Sequence, residues 1–191
     1  MSIKPSRDEA WKLLCEFNQN DALLKHALTV EGVMRHFAAL EGEDVDKWGI
    51  VGLLHDLDYE KYPDQHCVKA MEIMKERNID EEYIHAVASH GWGICCDVEP
   101  THKMEKILFT IDELTGLVTA ACLMRPSKSV LDIELKSVKK KYKTQSFAAG
   151  VDRSIIEKGC AMIDKDLDYV INEVIMGMRE CAEEIGLKGT L

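Results

Sequence analysis

Apolar residues recur along this chain at three- and four-residue spacing almost throughout, and no segment alternates as a strand would. From Asp21 to Leu40, the side chains Leu23, Ala27, Val30, Val33, Met34 and Phe37 fall on one side, which predicts a helix with a buried stripe. A shorter helix precedes it: Ser6-Arg7-Asp8-Glu9 matches a capping box, and Trp11, Leu14, Cys15 and Phe17 continue the period. A third is expected over Val45 to His55. Pro63 marks the next start, giving a fourth over Asp64 to Arg77 with His66 in its first turn. Asp80 caps a fifth, Glu81 to His90, which Gly91 stops. After a loop from Gly91 to Thr101, a sixth runs from Lys103 to Leu123. Further helices are expected over Val130 to Tyr142, Arg153 to Ile163 and Leu167 to Ile185. The pattern predicts an all-α fold, a single compact bundle of about nine helices over residues 1–191, with helices of 127–191 packing on a core of 20–125.

Composition narrows the class. A chain of 191 residues can bury one full core. Its 24 basic and 34 acidic residues give a net charge of −10, which argues against a protein that coats a nucleic-acid polymer. No stretch approaches the roughly 20 consecutive apolar residues of a membrane span. The opening Met1-Ser2-Ile3-Lys4-Pro5 lacks the apolar core of a signal peptide. Seven cysteines, an odd number without regular spacing, read as reduced thiols in a cytoplasmic protein. Cys95-Cys96 is an adjacent pair and not a C-x-x-C, so neither a zinc nor a redox motif is expected there. Lys136, Lys139, Lys140, Lys141 and Lys143 read as the solvated face of an amphipathic helix, with a mobile basic flap over phosphate as the alternative. Apolar C-terminal helices leave room for a homodimer.

The chemistry concentrates in Gly52-Leu53-Leu54-His55-Asp56-Leu57-Asp58. An imidazole and a carboxylate stand side by side at the end of an apolar helix, where an unpaired charge is costly. His26 upstream and Asp112 downstream lie in equally apolar helical surroundings. Neighbouring helical residues point about 100° apart, so one helix end can offer both groups of the doublet to a single ion, and two other helices can add one ligand each. Two imidazoles and two carboxylates suit a divalent transition metal with open positions, namely Fe, Mn, Zn, Co or Ni, and Mg less naturally.

The order His26, His55-Asp56, Asp112 resembles the signature of the HD-domain superfamily of metal-dependent phosphohydrolases, which are helical bundles. The matching contexts are Leu24-Lys25-His26-Ala27-Leu28, Leu53-Leu54-His55-Asp56-Leu57-Asp58 and Thr110-Ile111-Asp112-Glu113-Leu114. Arg125-Pro126 and Phe147-Ala148-Ala149-Gly150-Val151 add similarity to small bacterial members. The resemblance implies that His26, His55, Asp56 and Asp112 ligate an ion. In the subset of the superfamily with dinuclear centres, two further histidines fall between the doublet and the last Asp, and the Asp of the doublet bridges the ions. His66 and His90 match that description; the other reading makes them phosphate-binding or cleft-lining residues beside one ion.

The implied activity is hydrolysis of a small phosphomonoester, nucleotide or phosphodiester by a metal-activated water. The alternatives are a diiron oxygenase of the same superfamily and a non-catalytic metal or ligand sensor. Besides Asp56, the candidate catalytic residues are Asp58, to orient the water or protonate a leaving group, Lys61, to meet a phosphate, and Thr115, one turn after Asp112, to contact phosphate or water. Each has a plainer reading as a turn Asp, a surface Lys and a backbone-bonded Thr. His36, His85 and His102 are expected outside the site, and Arg35 is placed about 180° round the helix from His26. Gly91-Trp92-Gly93 is either a cleft rim or a packed turn.

Overall fold

Side-chain caps start most of the helices where the sequence places them. Ser6 and Glu9 form the reciprocal capping box, Asn20 accepts from Ala22 and Leu23, and Asp44, Asp80, Asp152 and Asp166 each accept from a backbone N–H of the following turn. The computed structural model describes residues 2–190. Among them are nine α-helices: α1 (Arg7–Phe17), α2 (Asp21–Glu41), α3 (Val45–Leu54), α4 (Val68–Glu76), α5 (Glu81–Ser89), α6 (Lys103–Leu123), α7 (Leu135–Tyr142), α8 (Arg153–Met162) and α9 (Leu167–Glu180). No strand occurs among the described residues, apart from isolated bridges such as Ile3 to Ile79. The all-α expectation therefore holds, and no helix among the described residues is long and apolar enough to cross a membrane.

The two 21-residue helices, α2 and α6, pack on each other and organise the rest. α3 lies along α2, with α1 against α3, while α8 covers α6 and α9 covers α2. The core runs through Val30, Met34, Phe37, Trp48, Leu53, Leu54, Leu108, Ile111, Val170 and Val174, all 2% exposed or less. Close approach of α3 to α2 requires Gly52, since a Cβ there would stand 3.0 Å from the Val30 carbonyl oxygen. That contact brings the end of α3 beside the second turn of α2, where His26 sits.

Three boundaries differ from the expected ones. The fourth helix starts at Val68 instead of Asp64. Pro63–Gln65 form a 3-10 turn, and Cys67 then takes a positive φ of 66° with ψ −45°, which breaks the period before α4 begins. His66 therefore lies in a turn and not in a helix. The seventh helix starts at Leu135 instead of Val130, because the Val130 and Ile133 carbonyls accept from the Arg179 guanidinium and the Val130 N–H donates to Leu187. Competing partners replace the helical hydrogen bonds there. The last helix ends at Glu180, and residues 181–186 turn back through Gly186 at φ 71°.

Candidate metal centre

Five segments deliver side chains to one place. His26 comes from α2, His55 and Asp56 from the end of α3, His66 from the turn before α4, His90 from the end of α5, and Asp112 from α6. His26 Nε2 lies 3.1 Å from His55 Nε2 and 3.0 Å from Asp112 Oδ1. Asp56 Oδ2 completes this group, 3.3 Å from His55 Nε2 and 3.6 Å from His26 Nε2. A second group adjoins it. His66 Nε2 is 3.1 Å from His90 Nε2, and Asp56 Oδ1 is 3.3 Å and 3.6 Å from the two. Asp56 thus turns one oxygen to each group.

The far side of each ring decides what faces inward. His55 Nδ1 donates to the Gly52 carbonyl at 2.7 Å, His90 Nδ1 donates to the Val87 carbonyl, and His66 Nδ1 donates to Asp58 Oδ1 at 2.7 Å. Carbonyl and carboxylate oxygens only accept, so the proton of each neutral ring is on Nδ1 and each Nε2 presents a lone pair. The inward-facing nitrogens of these three rings are then lone pairs, and together with His26 Nε2 and the carboxylate oxygens they pack 3.0–3.6 Å apart. Such a set demands a positive charge at its centre. Ligands at about 2.1 Å from an octahedral ion stand about 3 Å from one another, so the donor atoms present fit a divalent metal. His26, His55 and Asp112 could hold one ion, and His66 and His90 a second, with the Cys67 thiol nearby.

The electrostatics describe the same appetite for positive charge. Burial opposes a charge on His55, but Asp56 and Asp112 outweigh it and raise its pKa well above the ordinary 6.5. For His66, burial is likewise overcome by the bond to Asp58 and the charge of Asp56. Burial would raise the two aspartates, yet His55 above all holds Asp56 well below the carboxylate range, and His55 and His26 lower Asp112.

A cavity of about 380 Å³ opens over the cluster, of a size that takes a small molecule. Its walls combine Leu23, Ile94, Phe109, Val151 and Ile155 with Tyr59, which meets His66 edge-on at 5.1 Å between ring centroids. Gly91 lines it, while Trp92 packs behind on Phe109 and under the Lys158 ammonium, 3.5 Å from the ring centroid.

The remaining expected residues are placed differently. Asp58 is fully buried behind His66, its Oδ2 accepting from the Ala70 N–H at 2.8 Å, so it faces neither water nor leaving group. Lys61 is turned away: its ammonium donates to the Glu16 carbonyl at 2.6 Å and lies over the Phe17 ring. The Thr115 hydroxyl is buried and donates to the Asp112 carbonyl at 2.7 Å. Neither Lys61 nor Thr115 lines the cavity. His36 is held between Glu173 and Glu180, His85 by Glu105, and His102 caps α6 by accepting from Met104. The lysine-rich helix α7 lies elsewhere, with Lys139 paired to Asp168 and Lys141 over Phe147.

Glu113 was missed by sequence reasoning. It stands on the cavity wall next to Asp112, half-buried, with Oε2 accepting weakly from the Asp152 N–H at 3.3 Å. Burial first, and Asp112 second, push its carboxyl up to about 7. Its position immediately after Asp112 was the available signal.

A family model described as HD domain matches residues 23–116, the stretch that carries all six converging side chains. A tRNA (cytidine(56)-2'-O)-methyltransferase from Picrophilus torridus is 25% identical over 185 residues. The match covers 89% of this chain and 51% of that protein, so the chain spans about half the length of this curated relative. No solved structure matches.

Proposed function

From the premise that the chain belongs to the HD-domain superfamily, we propose that it is a metal-dependent phosphohydrolase acting on a small phosphomonoester, nucleotide or phosphodiester. The observation that carries this reading is the split of Asp56, one oxygen toward His26 and His55 and the other toward His66 and His90, on the floor of a small-molecule cavity. Divalent ions, if bound there, would supply charge neutralisation at phosphoryl oxygens and lower the pKa of water. His26, His55, Asp112 and Asp56 would hold one ion, and His66, His90 and Asp56 would hold a second. Gly52, Val87 and Asp58 keep the three Nδ1 protons outward, so that the Nε2 lone pairs stay available. Asp58 acts through His66. Glu113 is the cavity carboxyl outside the ligand set, placed to give a proton to the departing oxygen. The apolar wall of Leu23, Ile94, Phe109, Val151 and Ile155 receives the organic part of the substrate.

The four imidazoles also suit two irons, and a diiron oxygenase is the second reading. The methyl transfer in the relative's name belongs to a protein about twice as long as its match here and gives no substrate for this chain. A net charge of −10 supports a small substrate over a nucleic-acid polymer.

The test joins elemental analysis of protein purified without chelator to assays on p-nitrophenyl phosphate and bis(p-nitrophenyl) phosphate. Turnover that follows metal content and disappears in His55→Ala supports the proposal. Bound iron with oxygen consumption and no phosphate release moves the assignment to the oxygenase, and no metal after reloading moves it to the sensor.

A further inference from the structure

Beside the second group of ligands the fold brings together two sulfurs that the proposed reaction does not use. Cys67 directly follows His66 and is fully buried, whereas Cys95 lies in the loop after His90 and lines the cavity. Their Sγ atoms are 3.1 Å apart across 28 positions of sequence, about 1 Å beyond a disulfide bond length. Three features hold them there. The Cys67 backbone, at φ 66° and ψ −45°, occupies a region that residues with a Cβ rarely enter and that concentrates at functional sites. Gly91 leaves the room: a Cβ at that position would stand 2.5 Å from Cys67 Sγ and 2.4 Å from Cys95 Sγ. Cys95 is tied by its N–H to the Gly91 carbonyl at 3.0 Å. The neighbouring Cys96 directs its thiol to the Ala88 carbonyl oxygen at 3.1 Å.

We propose that Cys67 and Cys95 form a redox modification site, in which a peroxide converts the pair to an intramolecular disulfide that ties the His66 turn to the loop after His90. Cys95, reached through the cavity, attacks one peroxide oxygen; the O–O bond breaks, the other oxygen leaves as water with the thiol proton, and Cys95 becomes a sulfenic acid. The Cys67 sulfur then attacks Cys95 Sγ. The S–S bond forms, the S–O bond breaks, and the hydroxyl departs as a second water with the Cys67 proton. Two thiols lose two electrons and two protons, and hydrogen peroxide becomes two waters. A dithiol reductant reverses the change. The bond forms in contact with the metal ligands, because Cys67 Sγ is 3.9 Å from His90 Nε2. The adjacent pair Cys95-Cys96 was not a redox motif in sequence; the partner of Cys95 comes from a distant turn.

The experiment treats the full chain, as purified, with a few equivalents of hydrogen peroxide, blocks remaining thiols in denaturant and maps peptides by mass spectrometry. The expected result is a cross-linked peptide joining Cys67 to Cys95, absent after dithiothreitol and retained in Cys96→Ser. In Cys67→Ser the cross-link disappears and dimedone captures Cys95 as its sulfenic acid. Should that variant not fold, Cys95→Ser must abolish the same cross-link and leave Cys67 unmodified. A cross-link through Cys96, a cross-link between two chains, or even oxidation of the cysteines without the Cys67–Cys95 peptide overturns the proposal.

Discussion

His66 donates its Nδ1 proton to Asp58 at 2.7 Å, and that bond decides which nitrogen of the ring faces the cavity. Asp58 is itself fixed by the Ala70 N–H at the start of α4, so the carboxylate couples the helix to the ring orientation. Asp58→Ala is expected to weaken the second ion by roughly 10–100-fold while leaving the first in place. It also strands a buried N–H, at a cost of about 1–3 kcal/mol. Metal stoichiometry under limiting metal, with a denaturation curve on the same variant, checks both.

Asp56 faces both groups, whereas Asp112 faces only the first. Asp56→Ala is therefore expected to lower occupancy of both ions. Asp112→Ala reduces the first alone, and His90→Ala the second alone. Stoichiometry by elemental analysis across the three variants distinguishes this pattern from a single mononuclear centre, in which His90→Ala leaves metal content unchanged.

In the metal-free protein the raised pKa of His55 makes its protonated form part of the folded state. Its contribution to stability is fully present below the unfolded value of 6.5 and is lost as pH rises through the higher folded value. Asp56, whose pKa is depressed, contributes above its unfolded value of 3.8 and loses that contribution as pH falls. Chelated protein should accordingly lose thermal stability on going from pH 6.5 upward. Metal-loaded protein should not, because the ion replaces the proton. Parallel melting curves across this range, with and without chelator, measure the difference.

Glu113→Gln keeps the shape of the cavity wall and removes a proton. A fall of about 100-fold or more in kcat, with metal content unchanged, is expected if Glu113 protonates the leaving oxygen. The loss should shrink for a substrate with a good leaving group such as p-nitrophenolate. An equal loss for good and poor leaving groups would exclude that role.

Lys61→Ala should leave turnover within about twofold of the parent, since the ammonium stacks on Phe17 and bonds the Glu16 carbonyl. Its stability cost should be about 1 kcal/mol or less, as for an exposed cation on an aromatic ring. Steady-state kinetics and a urea titration suffice. A large loss of kcat/KM would return Lys61 to the substrate.

The helices and the four positions His26, His55, Asp56 and Asp112 were legible because each follows from helical period and side-chain chemistry together. The turn at Cys67 was not legible: a positive φ on a residue with a Cβ leaves no trace in hydrophobic spacing, so His66 was expected inside a helix. Side-chain direction beyond the helices was equally hidden. Lys61 stands three residues after Asp58, and only the turn following α3 determines that it points to Phe17. Asp58 carried a readable chemistry with the wrong object. Its carboxylate was matched to a proton, and that proton belongs to His66 instead of to water.

The donor atoms of the first group span the chain from His26 to Asp112, 86 positions apart, and those of the second come from turns between them. An ion held by such distant segments works as a multi-point staple, closing loops whose entropy the unfolded chain would otherwise recover. With such an ion bound, opening any one segment would require release of a ligand, so local unfolding and proteolytic attack would be gated by metal dissociation. On the proposed metal-binding reading, the abundance of this protein in a cell would accordingly follow the supply of that metal, with the empty form cleared faster than the filled one.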